Sequence, residues 1–294
     1  MNARALRIHF HRIAAAHALL FLLLIFACGF VASGLAFARA HQPADSQAVP
    51  LFRIGEQLRY RIDWQKYAGA AYAELDVIDR GRFFGVGAWH FRASVHTTEP
   101  ARAFFPLDDE ADSYARPAGL ASFRYQERFQ ESGKPEDTYA EFIPSGDASG
   151  GAWPRVVVPQ GTHDPVSAIY SLREADWRRV PEVRLPVYDG EDLYEIAARS
   201  MGTEKVSVEA GEYLATRIAI RLLQNGRELP DEHFTLWLAN DATQTPVRLD
   251  AQLPFGDLHL ELTSSVQAQN KLGNKQRMEL PVNLPQRSSH PAEN

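Results

Sequence analysis

The run Phe234–Thr263, FTLWLANDATQTPVRLDAQLPFGDLHLELT, decides the fold class. Phe234, Leu236 and Leu238 alternate with Thr235 and Trp237. Val247, Leu249, Ala251 and Leu253 alternate with Arg248, Asp250 and Gln252, and Leu258, Leu260 and Leu262 alternate with His259, Glu261 and Thr263. Turn-forming residues at 240–245 and 254–257 separate the three runs. Successive side chains of a strand point to opposite faces, so the pattern predicts a half-buried antiparallel meander. Wound as a helix, the same residues would spread their apolar groups around every side.

The rhythm extends upstream. Leu58, Tyr60, Ile62 and Trp64 alternate with Arg59, Arg61 and Asp63; two further runs cover 71–77 and 89–96, with glycine-bearing turns between them. Less regular strands are expected at 112–115, 120–129, 138–143 and 155–158, and cleaner ones at 184–188, 193–199, 203–209 and 213–222. One segment departs from period two. Asp164-Pro165 is an N-cap followed by proline at the first helical position, and Val166, Ile169, Tyr170 and Arg173 then recur at helical spacing up to Trp177. About a dozen strands and one helix, with no composition break, predict a single all-β domain over 51–266. Its expected form is one large curved antiparallel sheet, a barrel or half-barrel, whose apolar concave face the helix covers.

The chain opens as an export signal. Arg4, Arg7 and Arg12 precede the apolar run Ala18–Ala32, and Ala38-Arg39-Ala40 fits a cleavage site, so residues 1–40 read as a signal peptide and 41–50 as a flexible leader. The alternative is an uncleaved inner-membrane anchor over 13–37. Cleavage would remove Cys28, the sole cysteine, with four arginines and no acid, moving the formal charge from −6 to −10. So acidic a body disfavours nucleic acid or anionic lipid as an electrostatic partner. Residues 267–294 lose periodicity and read as a disordered tail.

Several stretches together resemble an exported bacterial family, domain of unknown function 3108. They are FRIGEQLRY at 52–60 running to Trp64, with Gly69-Ala70; DPVSAIYSLR at 164–173; VEAGEY at 208–213; and LWLAND at 236–241, with TPVRL at 245–249 and Gly256-Asp257-Leu258. Asn240 departs from the small polar residue expected there. The resemblance implies a secreted or periplasmic β-rich protein without an established activity, and it supplies no catalytic residues.

No catalytic, metal or cofactor site is predicted. Gly146–Gly151 approaches the loop around a serine nucleophile but has Ala148 inserted, and nothing nearby specifies an oriented histidine base. His90 and His96 share one strand face, yet six residues place them ~20 Å apart, too far for one metal. Asp108, Asp109, Glu110 and Asp112 lack calcium-loop spacing and read as a solvated acidic loop. The candidate binding residues are Tyr60, Trp64, Tyr170, Arg173, Trp237 and Asp241. Asp241 also has a plain turn role, Arg173 late in the helix is placed to complement its dipole or to pair with a carboxylate, and Trp237 is a large aromatic on the face that should be wet. The leading expectation is a non-enzymatic periplasmic binding or carrier protein for an apolar or amphiphilic ligand, such as a lipid. The alternatives are an envelope scaffold with protein partners and, behind it, a hydrolase of envelope polymers.

Overall fold

The alternating runs fold as strands of one sheet. The structure, a computed structural model, describes residues 51–103, 106–131, 134–144, 155–254 and 256–266. The expected signal peptide or anchor, leader and tail, with Cys28 and the 146–151 segment, lie outside the described residues. In chain order the elements are β1 (Gln57–Trp64), β2 (Tyr67–Phe83), β3 (Val86–Thr97), β4 (Asp108–Ala115), β5 (Ser122–Glu131), β6 (Lys134–Pro144) and β7 (Arg155–Val158). Helix α1 (Pro165–Glu174) follows, then β8 (Glu182–Tyr188), β9 (Leu193–Val208), β10 (Gly211–Gln224), β11 (Arg227–Ala239), β12 (Pro246–Gln252) and β13 (Leu258–Val266).

The order across the sheet is β7-β6-β5-β4-β3-β2-β1-β13-β12-β11-β10-β9-β8. Each neighbour pair is antiparallel except β6–β7, which is parallel. First and last strands of the meander pair along Gln57–Trp64, so the sheet curls into a nearly closed barrel with its edges at β7 and β8. The opening stretch behaves as its pattern predicts: Leu236 pairs with Leu249 and Leu249 with Leu260, one apolar row crossing three strands.

Two sequence expectations need correction. The acidic run at 108–112 is not a solvated loop but strand β4. Arg92 stands opposite Asp112 and His96 opposite Asp108, Arg92 and Arg128 also pair with Glu110, and these partners offset a segment whose charge alone argued against a strand. The separate strands expected at 193–199 and 203–209 are one strand, β9, whose pairing with β10 shifts register between Thr216 and Ile218; an irregularity absorbed within a strand looks like a break in sequence.

The helix lies inside the barrel and is buried on nearly every side. Toward β3 and β4 the inner face combines the aromatic Trp89 and Phe91 with small residues, Ala93 opposite Ala111 and Ala115 opposite Trp89, and α1 packs on β3, β4 and β8. The opposite wall carries Ile220, Leu222, Phe234, Leu236 and Leu260.

Candidate functional site

Two ends of α1 anchor it by different chemistry. At its N-terminus the Asp164 Oδ1 accepts from Ser167 N at 2.8 Å, and Asp164 N donates to Ser167 Oγ at 3.1 Å, a reciprocal capping box. The other carboxylate oxygen accepts from Ser113 Oγ at 2.5 Å and Ser122 Oγ at 2.7 Å, which ties the cap to β4 and β5. Burial raises the Asp164 pKa to about 6, against the pull of these hydroxyls and the Ser167 N–H. Along the helix, Tyr170 stacks on Phe91 at 3.9 Å between ring centroids and meets Phe52 edge-on at 5.0 Å.

Near the C-terminus, Arg173 and Glu56 form an ion pair in which both side chains are 0% exposed. Nη1 and Nη2 donate to Oε1 and Oε2 at 2.6 and 3.1 Å, and Nη2 also donates to the Thr243 carbonyl at 3.1 Å. The guanidinium lies 5.2 Å from the Tyr170 ring and 5.5 Å from that of Phe52. Burial works against the charge on Arg173, and the Glu56 carboxylate outweighs it and holds the group charged. The 241–246 loop is part of the same assembly: Asp241 Oδ1 accepts from Thr243 N at 2.8 Å, and Tyr60 Oη donates to the Pro246 carbonyl at 2.9 Å.

Between α1 and the opposite wall an apolar cavity of about 70 Å³ remains, open on one side. Pro165, Ala168 and Leu172 line it from the helix, and Tyr60, Phe234 and Leu236 from the sheet. Ile169 and Leu249, partly exposed lining residues, mark its mouth. The helix thus covers the concave face as expected, and the space left beside it is small and apolar.

Of the six predicted site residues, Tyr60, Tyr170, Arg173 and the Asp241 turn come together around Glu56. Only Tyr60 among them lines the cavity. Trp64 stands apart at the barrel rim, stacked on Tyr67 at 6.1 Å. Trp237 is on the outer face, as its alternation requires, yet only 7% exposed. Arg248 covers its ring at 4.6 Å and its Nε1 donates to Glu204 Oε1 at 2.6 Å. What meets Trp237 on the wet side is therefore a cross-strand cation and a carboxylate. Three histidines are engaged, while His96 and His233 are exposed: His259 lies between Asp250 at 2.5 Å and Glu261 at 2.7 Å, His90 contacts Asp112 at 2.6 Å, and His163 contacts the Gly119 carbonyl at 3.0 Å. Burial alone would raise Asp112; His90 and Arg92 pull it down to about 2. Sequence reasoning missed Glu56. The available signal was Arg173 on an apolar helix face, which calls for a buried carboxylate partner.

These features define a class: an antiparallel β-barrel plugged by its own helix, with a small apolar cavity beside the plug. Within that class, the chain belongs to the DUF3108 family of proteins of unknown function, which it matches over residues 59–263. No curated protein matches it. Among solved structures it is similar to a beta-barrel-like protein of domain of unknown function DUF1849 from Brucella abortus, at 8% identity and TM-score 0.47, covering 74% of this chain and 99% of that one. It is also similar to a candidate lipoprotein from Parabacteroides distasonis (10% identity, TM-score 0.36, 75% and 100% covered). A third is a candidate exported protein with a YmcC-like fold from Bacteroides fragilis (9%, 0.30, 74% and 97%). Among the described residues no helix is long and apolar enough to cross a membrane, and no group of three or more His, Cys, Asp or Glu is placed to hold a metal ion.

Proposed function

We propose that the protein is an exported binding or carrier protein that takes the apolar end of an amphiphile into its barrel. The observation that carries the reading is the cavity beside α1, whose lining is almost wholly apolar and whose mouth is rimmed by Ile169 and Leu249. A dry apolar cavity gains little from water and most from an apolar occupant. Its size limits that occupant to one chain end, with the polar part left outside. The basic and apolar start of the sequence supports export.

The test is displacement of a fluorescent fatty acid from delipidated protein, alongside native mass spectrometry of the protein as purified. Binding in the micromolar range is expected, with at least tenfold weakening in Ile169→Trp, which blocks the mouth from a partly exposed position and leaves the thermal midpoint in place. A protein that neither carries a co-purified amphiphile nor binds the probe would remove the carrier reading.

A further inference from the structure

The sheet edges β7 and β8 do not pair with each other, so the barrel has a seam. Residues 162 and 163 stitch part of it: Ser122 N donates to the Thr162 carbonyl at 3.0 Å, His163 N to the Pro186 carbonyl at 2.9 Å, and Tyr188 N to the His163 carbonyl at 2.9 Å. The rings of Phe142 on β6 and Tyr188 on β8 meet across it at 5.5 Å.

Beside these contacts two buried carboxyl groups come near each other from the two sides of the seam. Glu127 on β5 is 7% exposed, and its Oε1 accepts from Tyr125 Oη at 2.7 Å. Asp189, immediately after β8, is 1% exposed. Its Oδ1 accepts from the backbone N–H groups of Glu191 and Asp192 at 2.8 and 2.7 Å, while Oδ2 has no hydrogen-bond partner among the described residues. The turn lies directly on Glu127: a Cβ added to Gly190 would stand 3.5 Å from Glu127 Oε2, and Gly190 has φ +109°, which favours glycine.

Tyr125 Oη and the Glu191 and Asp192 N–H groups offset part of the charge, and burial outweighs them. The groups that act on the pair are Asp109 from β4, Tyr125 from β5, Tyr188 from β8, Glu191 and Asp192 from the turn, Tyr194 from β9 and, through Tyr125, Asp164 at the α1 cap. All are acids or phenols, and no cation is among the strongest influences on either carboxyl. Glu56 and Asp112, by contrast, each have an arginine or histidine partner.

We infer that this seam is a pH-controlled closure: protonated Glu127 and Asp189 let β5 and the β8 turn stay together, and loss of the protons leaves like charges across the seam and loosens it. Burial raises Glu127 to about 8 and Asp189 to about 7, with the neighbouring acids pushing the same way, which places the transition just above neutral pH. The inference stands on the seam and needs no occupant in the cavity.

Amide hydrogen exchange of the full chain at about pH 6 and about pH 9, corrected for intrinsic exchange rates, tests it. Peptides covering 122–128 and 184–190 should exchange at least tenfold faster at the higher pH, relative to reference peptides covering 234–238 and 258–262 in the opposite wall. Glu127→Gln keeps an acceptor for Tyr125 and should hold the seam protected at both pH values. Asp189→Asn serves as a second variant if the first does not fold, with the same expectation. A wild-type seam that changes no more than the reference wall, or a folded variant that keeps the wild-type response, overturns the inference.

Discussion

At the residue scale the molecule turns on a charge that has no water. Arg173 sits on the buried face of a helix inside a barrel, and only the bidentate Glu56 pair, the Thr243 carbonyl and two aromatic faces compensate its desolvation. Breaking such a pair by neutralising one partner costs more than replacing both by apolar groups, because a lone buried charge is left behind. Glu56→Gln should therefore destabilise the protein by about 3–5 kcal/mol. The double variant Glu56→Leu with Arg173→Met should recover most of that loss. Urea unfolding of the single and double variants measures the difference; a single variant as stable as the wild type would mean the pair is not carrying the helix. The same logic separates Arg173 from Trp237. One polar group sits in the core with a bespoke partner, while one aromatic sits outside under Arg248 and Glu204.

At the element scale, α1 packs on β3, β4 and β8 and leaves a cavity on its other side. That asymmetry predicts opposite outcomes for the same substitution. Ala111→Leu adds volume on β4, against which α1 packs, and should cost about 1–3 kcal/mol through overpacking. Ala168→Leu adds the same volume from the helix toward the cavity and should be neutral or mildly stabilising while lowering affinity for an apolar probe. Thermal or urea unfolding of the two variants decides it, and equal losses at both sites would refute the placement of the cavity. Much of this was legible in the sequence. Strict alternation at 234–263 and the Asp164-Pro165 cap specify their elements locally, so strands β12 and β13 and the start of α1 stand where expected, while β11 begins at Arg227, ahead of its alternating run. Strand β4 was illegible because its charge is offset by residues far along the chain, and a local pattern carries no record of such partners. Glu56 and Asp189 were hidden for the same reason: each lies outside a regular element, and only closure of the barrel makes it interior.

At the scale of the whole molecule, buried ionisable groups make stability a function of pH, and the signs can be worked out. Glu127 and Asp189 have folded-state pKa values raised to about 8 and about 7, and Asp164 to about 6. A carboxyl that holds its proton more tightly when folded contributes fully below its unfolded pKa, and that stability is lost as pH rises through the folded value. His163 runs the other way: burial lowers it to about 4, so its contribution is present above its unfolded value and lost as pH falls toward the folded one. The two trends oppose each other between about pH 4 and about pH 6.5. Above that interval the His163 contribution is complete, Asp164 is already ionised, and Glu127 with Asp189 dominates among these groups. His259, raised by its Asp250 contact, adds a smaller loss in the same direction because it is partly exposed. The thermal midpoint should therefore be highest in mildly acidic buffer and fall between about pH 6.5 and about pH 8, with Glu127 contributing up to about 1.4 kcal/mol per pH unit. Glu127→Gln, measured by calorimetry across the same range, should flatten most of that slope. A wild-type midpoint that rises through this window, or a variant that keeps the full slope, would show that the seam carboxyls do not set the acid preference of the barrel.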